Sequence, residues 1–169
     1  MKHRLPCVHT LFDSPLGPML LAASPQGLAG VWFQSQRHGP DAAHISQWPA
    51  DASHPVLQAA VQQLGAYFQG QRQAFDLPLD WSAGTAFQQR VWQALLGIAH
   101  GQTRRYGELA QQIGQPSAAR AVAAAIGRNP LSIVVPCHRV LGADGSLTGY
   151  AGGLDRKAAL LALERGTPD

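Results

Sequence analysis

Residues 103–140 read TRRYGELAQQIGQPSAARAVAAAIGRNPLSIVVPCHRV, and this stretch decides the fold of the half of the chain that carries the chemistry. Tyr106 to Ile113 has helical spacing and stops at Gly114, a residue that ends helices by turning left-handed. Gln115-Pro116 then turns the chain, and Ser117 is placed to cap a second, alanine-rich helix running to Ile126. Two short helices joined by a glycine-containing turn resemble a helix-turn-helix, although a helical hairpin that serves only packing has the same pattern. Leu131 to Val135 is a compact β-branched run that predicts a strand. It delivers Pro136-Cys137-His138-Arg139-Val140, after which Gly142-Ala143-Asp144-Gly145 turns the chain. Leu154 to Leu163 predicts a final helix with Glu164 at its end.

Upstream, the pattern changes. Leu5 to Phe12, Met19 to Ala23 and Leu28 to Phe33 are apolar runs separated by turn signals at Asp13–Pro18 and Ser24–Gly27, which predicts an antiparallel meander. Gln34 to Ser53 lacks periodicity and reads as a loop. A helix opens at Ser53 with Pro55 in its first turn, carries Val56, Leu57, Ala60, Val61, Leu64, Tyr67 and Phe68 on one stripe, and ends at Gly70. Thr85-Ala86-Phe87-Gln88 matches a capping box, with Phe87, Val91, Trp92, Leu95 and Leu96 as the buried face of the helix it opens. The fold class is therefore α+β. A small α/β domain with an antiparallel sheet occupies residues 1–84, and a mainly helical domain containing the helix-turn-helix occupies 85–169.

With 169 residues, 46% hydrophobic and 14% charged, the chain can bury a real core and falls outside the disordered, collagen-like and coiled-coil classes. No apolar run reaches the roughly 18 residues of a membrane span. Pro6, His9 and Asp13 interrupt any signal-like segment after Lys2 and Arg4, so a cytoplasmic, reducing setting is expected and both cysteines are read as free thiols. Charge divides unevenly. Residues 1–84 carry a net −1 and residues 85–169 a net +4, with five arginines and one acid, Glu108, between Arg104 and Arg139. A polyanion suits such a field, and so does a merely solvated basic face.

Cys137 is the candidate nucleophile, because a thiolate attacks and an imidazole within reach can take the thiol proton. A buried cysteine that is only a small hydrophobe is the competing reading. His138 follows directly; adjacent residues on an extended chain point apart, so one water is expected between them. Glu164 is the nearest downstream carboxylate able to orient that histidine. Cys7 is taken as structural, and His3, His38, His44, His54 and His100 lack paired ligand spacing, so no metal is expected.

Pro136-Cys137-His138-Arg139-Val140, preceded by Arg128-Asn129-Pro130 and followed by Gly149-Tyr150-Ala151-Gly152-Gly153, closely resembles the O6-alkylguanine-DNA alkyltransferases. The resemblance extends through Ala118-Ala119-Arg120-Ala121-Val122 and Tyr106-Gly107-Glu108-Leu109-Ala110 to Phe87–Trp92, about 80 residues in all. It implies a ribonuclease H-like fold for residues 1–84. It also implies single-turnover transfer of an alkyl group from O6-alkylguanine, and from O4-methylthymine, in double-stranded DNA to Cys137, without a cofactor, by a monomer able to bind cooperatively along DNA. Cys137, His138 and Glu164 then form the catalytic relay, and Asn129 fixes the turn before the nucleophile. Tyr106 matches the donor to guanine N3, while Tyr150, the Val140 carbonyl and the Ala151 amide match the pocket. Arg120 matches the residue that fills the space left by a flipped nucleotide, and Ser117, Ala119 and Arg128 lie along the DNA-binding segment. Ile126 and Ala151 depart from residues common in relatives; neither is expected to touch the nucleophile, and Ile126 is expected to act at the helix end. A non-catalytic damage binder, a sequence-reading regulator and a cysteine hydrolase remain the alternatives from other classes.

Overall fold

The computed structural model describes residues 7–166, so the part of the first predicted strand before Cys7 lies outside the described residues. Strands β1 (Val8–Ser14), β2 (Gly17–Ser24) and β3 (Gly27–Phe33) form the antiparallel meander, in that order. At the Ala22/Ala23 irregularity β3 gains one residue, so Leu28, Val31 and Phe33 all face the main core while Ala29 and Trp32 face the other side. Both faces are consequently covered. Helix α2 (Pro55–Phe68) packs Leu57, Ala60, Leu64 and Tyr67 on the inner face. Trp48 stacks on Trp32 at 6.2 Å on the outer face, where Cys7 is also buried. The segment expected to be a loop contains one helical turn, α1 (Ala42–Ile45), because the Asp41 carboxylate accepts from the His44 amide at 2.8 Å and caps it. Helix α2 starts one residue later than the pattern suggests, with His54 rather than Ser53 at its N-cap.

The second half opens with α3 (Ala86–Leu95), held by the expected capping box: the Gln88 amide donates to Thr85 Oγ1 at 3.1 Å and the Thr85 amide to Gln88 Oε1 at 2.9 Å. Its Trp92 is fully buried and donates Nε1 to the Ala125 carbonyl at 2.8 Å, which ties α3 to the helix-turn-helix. After β4 (Arg104–Arg105), that motif comprises α4 (Tyr106–Gln112) and α5 (Ala119–Gly127). Ser117 is not the cap: α5 begins after Ala118, and no side chain caps its amides.

The predicted strand over 131–135 is absent. Leu131 makes a single parallel bridge to Val31, and the run then coils, with Ile133 left-handed at φ 72°. Here the β-branched residues reflect burial on every side rather than extension, since each of Leu131 to Val135 is buried. Asn129 supplies what a sheet ladder would have supplied. Its Nδ2 donates to the Val135 carbonyl at 2.8 Å and its Oδ1 accepts from the Leu131 amide at 3.0 Å. A single 3-10 turn (Cys137–Arg139) follows, then β5 (Val140–Leu141), which pairs in parallel with β4, and finally α6 (Leu154–Arg165). Along α6 the buried residues are Lys157, Leu160, Leu161 and Glu164, so one inward face carries a cation and an anion two turns apart.

Gly27 opens β3 at φ 150°, where an added Cβ would lie 2.6 Å from the Pro78 carbonyl oxygen. Gly27→Ala is therefore expected to lower stability by about 1–3 kcal/mol, read from the urea midpoint, because backbone has to move.

Candidate active site

Glu164 is the residue around which the site is assembled. Its Oε1 accepts from His138 Nε2 at 2.6 Å, from Tyr67 Oη at 2.8 Å and from Arg139 Nη2 at 2.8 Å, while Oε2 accepts from Arg139 Nε at 2.8 Å. Arg139 completes its fork on the Ile98 carbonyl at 2.6 Å. Burial alone would raise the Glu164 pKa, but the bonds and charges of His138 and Arg139 outweigh it and hold the carboxyl well below the usual carboxylate range. Arg139 thus leaves the basic field that its sequence position suggested: it is buried and neutralised. Arg104, Arg105, Arg120 and Arg128 stay exposed.

His138 is completely buried, and burial pushes its imidazole below the ordinary value despite Glu164. With Nε2 on the carboxylate, its buried Nδ1 has no hydrogen-bond partner among the described residues and is the ring nitrogen left to exchange a proton. Burial also pushes the Cys137 thiol up, against the opposing pull of Asn129 and the Lys157 charge. The resting pair is therefore a neutral thiol beside a neutral imidazole. The tight turn at 137–139, rather than an extended chain, sets the two side chains' directions.

Cys137 faces a cleft of about 590 Å3, including its open mouth. Tyr106, Tyr150 and Ala151 line it as the sequence suggested, and Gly149 and the α5 residues Ala123, Ile126 and Gly127 complete the wall. Ile126 is a correction: it is buried and shares the cleft with Cys137, so it shapes the pocket rather than the outer end of the helix. Tyr106 donates its hydroxyl to the Thr148 carbonyl at 3.1 Å, and burial raises the pKa of both tyrosines. Val140 is buried behind the wall, its carbonyl taken by Lys157 Nζ. Arg120 is exposed on α5, with Ser117, Ala119 and Arg128 along the same motif and outside the cleft lining.

Several participants escaped the sequence pattern. Tyr67 belonged to an ordinary helical stripe, Lys157 to a helix face, and Arg37 and His38, which also line the cleft, to an aperiodic loop. That loop is tied in by the Arg37 amide, which donates to the Ala151 carbonyl at 3.0 Å. Nothing local marks these residues; Tyr67 and Glu164 are 97 positions apart.

Fold and site together define a helix-turn-helix domain built around a buried, imidazole-flanked thiol. Residues 86–166 match the family model for the 6-O-methylguanine DNA methyltransferase DNA binding domain, and residues 7–81 match the ribonuclease-like domain of the same proteins. The methylated-DNA–protein-cysteine methyltransferase of Mycobacterium tuberculosis is 52% identical over 153 residues, covering 90% of this chain and 89% of that protein. Its namesake in Methanosarcina acetivorans is 47% identical over 156 residues, 92% and 97% of the two chains. A crystal structure of Mycobacterium tuberculosis O6-methylguanine methyltransferase superposes with a TM-score of 0.85 at 48% identity, over 96% of this chain and 95% of that one. Another, of Mycobacterium tuberculosis OGT in complex with DNA, gives 0.85 at 50% identity over 95% and 94%. The chain belongs to the 6-O-methylguanine DNA methyltransferase family. It is accordingly a DNA-repair methyltransferase whose acceptor is a protein cysteine.

The sign of the pH dependence follows from the two depressed groups. Glu164 stabilises the fold fully above its unfolded value of about 4.3, and His138, buried neutral, does so above about 6.5. Stability is expected to fall in two stages as pH drops below those values. In Glu164→Gln the lower stage disappears, and the variant is less stable than the parent at pH 7 by about 3–5 kcal/mol because Arg139 is left buried and unpaired; urea melts from pH 3.5 to 8 read both effects.

Proposed function

We propose that Cys137 is the acceptor and that its substrate is O6-alkylguanine in double-stranded DNA, with O4-methylthymine as a second substrate. The observation that carries this reading is that Cys137 faces a cleft lined by Tyr106, Tyr150 and Ala151 while the next residue, His138, is held by the buried Glu164 carboxylate at 2.6 Å. The thiol proton passes to His138 through a water. Sulfur then attacks the alkyl carbon in line, the new S–C bond forms as the C–O6 bond breaks, and the electron pair leaves with the base, which takes a proton from solvent at N1. A Tyr106 donor at guanine N3 offsets the charge developing on the ring. Tyr150 packs against the O6 side, and the Cys137 carbonyl with the Ala151 amide reads the guanine edge, while the Val140 carbonyl, held by Lys157 Nζ, supports that edge from behind. Asn129 holds the turn that presents the sulfur.

A methyl on O6 is out of reach inside a duplex, so the nucleotide is flipped at a cost of a few kcal/mol. Arg120, exposed on α5, fills the space it leaves. Ser117, Ala119 and Arg128 follow the backbone, and the small residues of α5 permit close approach to the minor groove. The thioether does not hydrolyse, so each molecule acts once, as a monomer in the cytoplasm that binds singly or cooperatively along DNA. No helix among the described residues is long and apolar enough to cross a membrane. A sequence-reading regulator fits poorly, because α5 presents mostly alanine.

Incubation with duplex carrying labelled O6-methylguanine is expected to leave one methyl per molecule on the Cys137 peptide with no further turnover; tight binding without transfer would make the protein a damage binder. Arg120→Ala is expected to slow repair in duplex about 100-fold or more, the equivalent of losing close to 3 kcal/mol, while reaction with free O6-benzylguanine changes less than threefold. Equal losses on both substrates would remove the flipping role. The methylated protein is expected to be about 1–3 kcal/mol less stable than the unmodified one, because an extra methyl enters a packed wall; paired thermal melts read the difference.

A further inference from the structure

We propose that Tyr67 is a positioning residue for the alkyl transfer: its hydroxyl, carried in by α2 of the first half, occupies Glu164 Oε1 beside His138 and limits how tightly the carboxylate holds the imidazole proton. The inference rests on His138 taking the thiol proton of Cys137. Tyr67 closes the inner stripe of α2, whose other buried members, Leu57, Ala60 and Leu64, are apolar. Its ring packs on Phe68, Phe75 and His100, with centroids 5.3, 5.6 and 6.2 Å away. A phenylalanine would make those contacts equally well. What the tyrosine adds is a hydroxyl that donates to Glu164 Oε1 at 2.8 Å in the interior. Burial and the neighbouring Glu164 charge raise the Tyr67 pKa far above its usual value, so the hydroxyl is a neutral donor at every working pH.

Glu164 Oε1 is crowded. It accepts from His138 Nε2 at 2.6 Å, Tyr67 Oη at 2.8 Å and Arg139 Nη2 at 2.8 Å, whereas Oε2 accepts from Arg139 Nε at 2.8 Å and, at 3.4 Å, from the Gly101 amide. A carboxylate oxygen offers about two lone pairs, so three donors on Oε1 share what two would fill. Arg139 is fixed by its second bond to Glu164 and by the Ile98 carbonyl, which leaves Tyr67 and His138 as the donors that compete. The other titratable and charged groups around them are His100 against the Tyr67 ring, Arg139, Lys157 on α6, Cys137 and Tyr150. Removing a neutral hydroxyl leaves the charge of each as it is. Loss of the Tyr67 bond therefore concentrates Oε1 on His138 Nε2, favours the imidazolium and raises the imidazole pKa. With the hydroxyl in place the imidazole rests neutral, its Nδ1 able to take the thiol proton at lower pH. The first half of the chain thus has a share in the chemistry, because the last turn of α2 adjusts the base.

The test is the pH profile of Cys137 alkylation by free O6-benzylguanine in the full chain, followed by intact mass from about pH 4 to 9, each curve normalised to its own plateau. In Tyr67→Phe, which keeps the ring, the fall on the acid side is expected to set in about half a unit higher, a threefold change in the proton affinity of the imidazole. Normalised curves that coincide, which is what a loss of packing alone gives, overturn the proposal. Tyr67→Leu, which gives up the ring as well, is expected to shift the curve equally and to melt lower; a shift confined to that variant overturns the proposal too. A second measurement needs no substrate. At pH 7 the His138 Nε2 proton, assigned with isotope-labelled histidine, is expected to resonate further downfield in Tyr67→Phe as its bond to Glu164 strengthens, and a resonance that is unmoved or moves upfield overturns the competition for Oε1. Should the parent take nothing from O6-benzylguanine while that proton still moves, the acceptor reading fails and the hold of Tyr67 on the imidazole stands. A parent that reacts while neither curve nor proton moves keeps the acceptor reading and removes the role of Tyr67.

Discussion

A single buried carboxylate sets the terms for the rest of the molecule. Ionised Glu164 is tolerable in a dry interior only because five donor atoms reach it, four from the side chains of Tyr67, His138 and Arg139 and one from the Gly101 amide at 3.4 Å, and these come from three separate parts of the chain. Tyr67 brings the helix that packs under the sheet, Arg139 brings the Ile98 carbonyl and the end of α3, and His138 brings the reactive turn. The fork of Arg139 cancels the charge, which leaves Glu164 free to orient the imidazole without drawing a proton onto it. Burial first, and the Arg139 charge after it, push the imidazole below its ordinary value against the pull of Glu164.

The neighbouring turn is held by different means. Leu131 to Val135 is buried on all sides yet belongs to no ladder, and a backbone in that position has polar groups that must be paired. Asn129, the bridge to Val31 and short bonds from the Val134 and Val135 amides to the Ser132 and Leu131 carbonyls do this, so the sheet of the first half directly supports the segment that carries the sulfur. The single core cluster that runs from Met19 to Leu160 has the same meaning: the sheet and the helices share an interior.

Much of this was legible beforehand. The meander, the capped α3, the two short helices and the final helix all follow from local periodicity and cap chemistry, and the spacing around Cys137 pointed to His138 and Glu164. The failures have separate causes. Val134 and Val135 suggested a strand because β-branched residues mark burial as readily as extension, and Ser117 resembled a cap that the backbone did not adopt. Tyr67, Arg37 and His38 could not be found from pattern at all, since what they meet lies far away in sequence and a stripe of apolar residues gives no hint that one hydroxyl reaches a carboxylate. Arg139 misled most: an arginine in a basic run looks solvent-facing until its carboxylate is seen.

The long separation between Tyr67 and Glu164 also orders events during synthesis. At about 5–20 residues per second, the sheet and α2 are available to fold several seconds before α6 has been made. Through that interval Arg139 and His138 have no carboxylate to meet, and the pocket has no floor of charge. The cluster around Glu164 therefore forms only after α6, so a nascent chain carries Cys137 and His138 before the carboxylate that orders them exists.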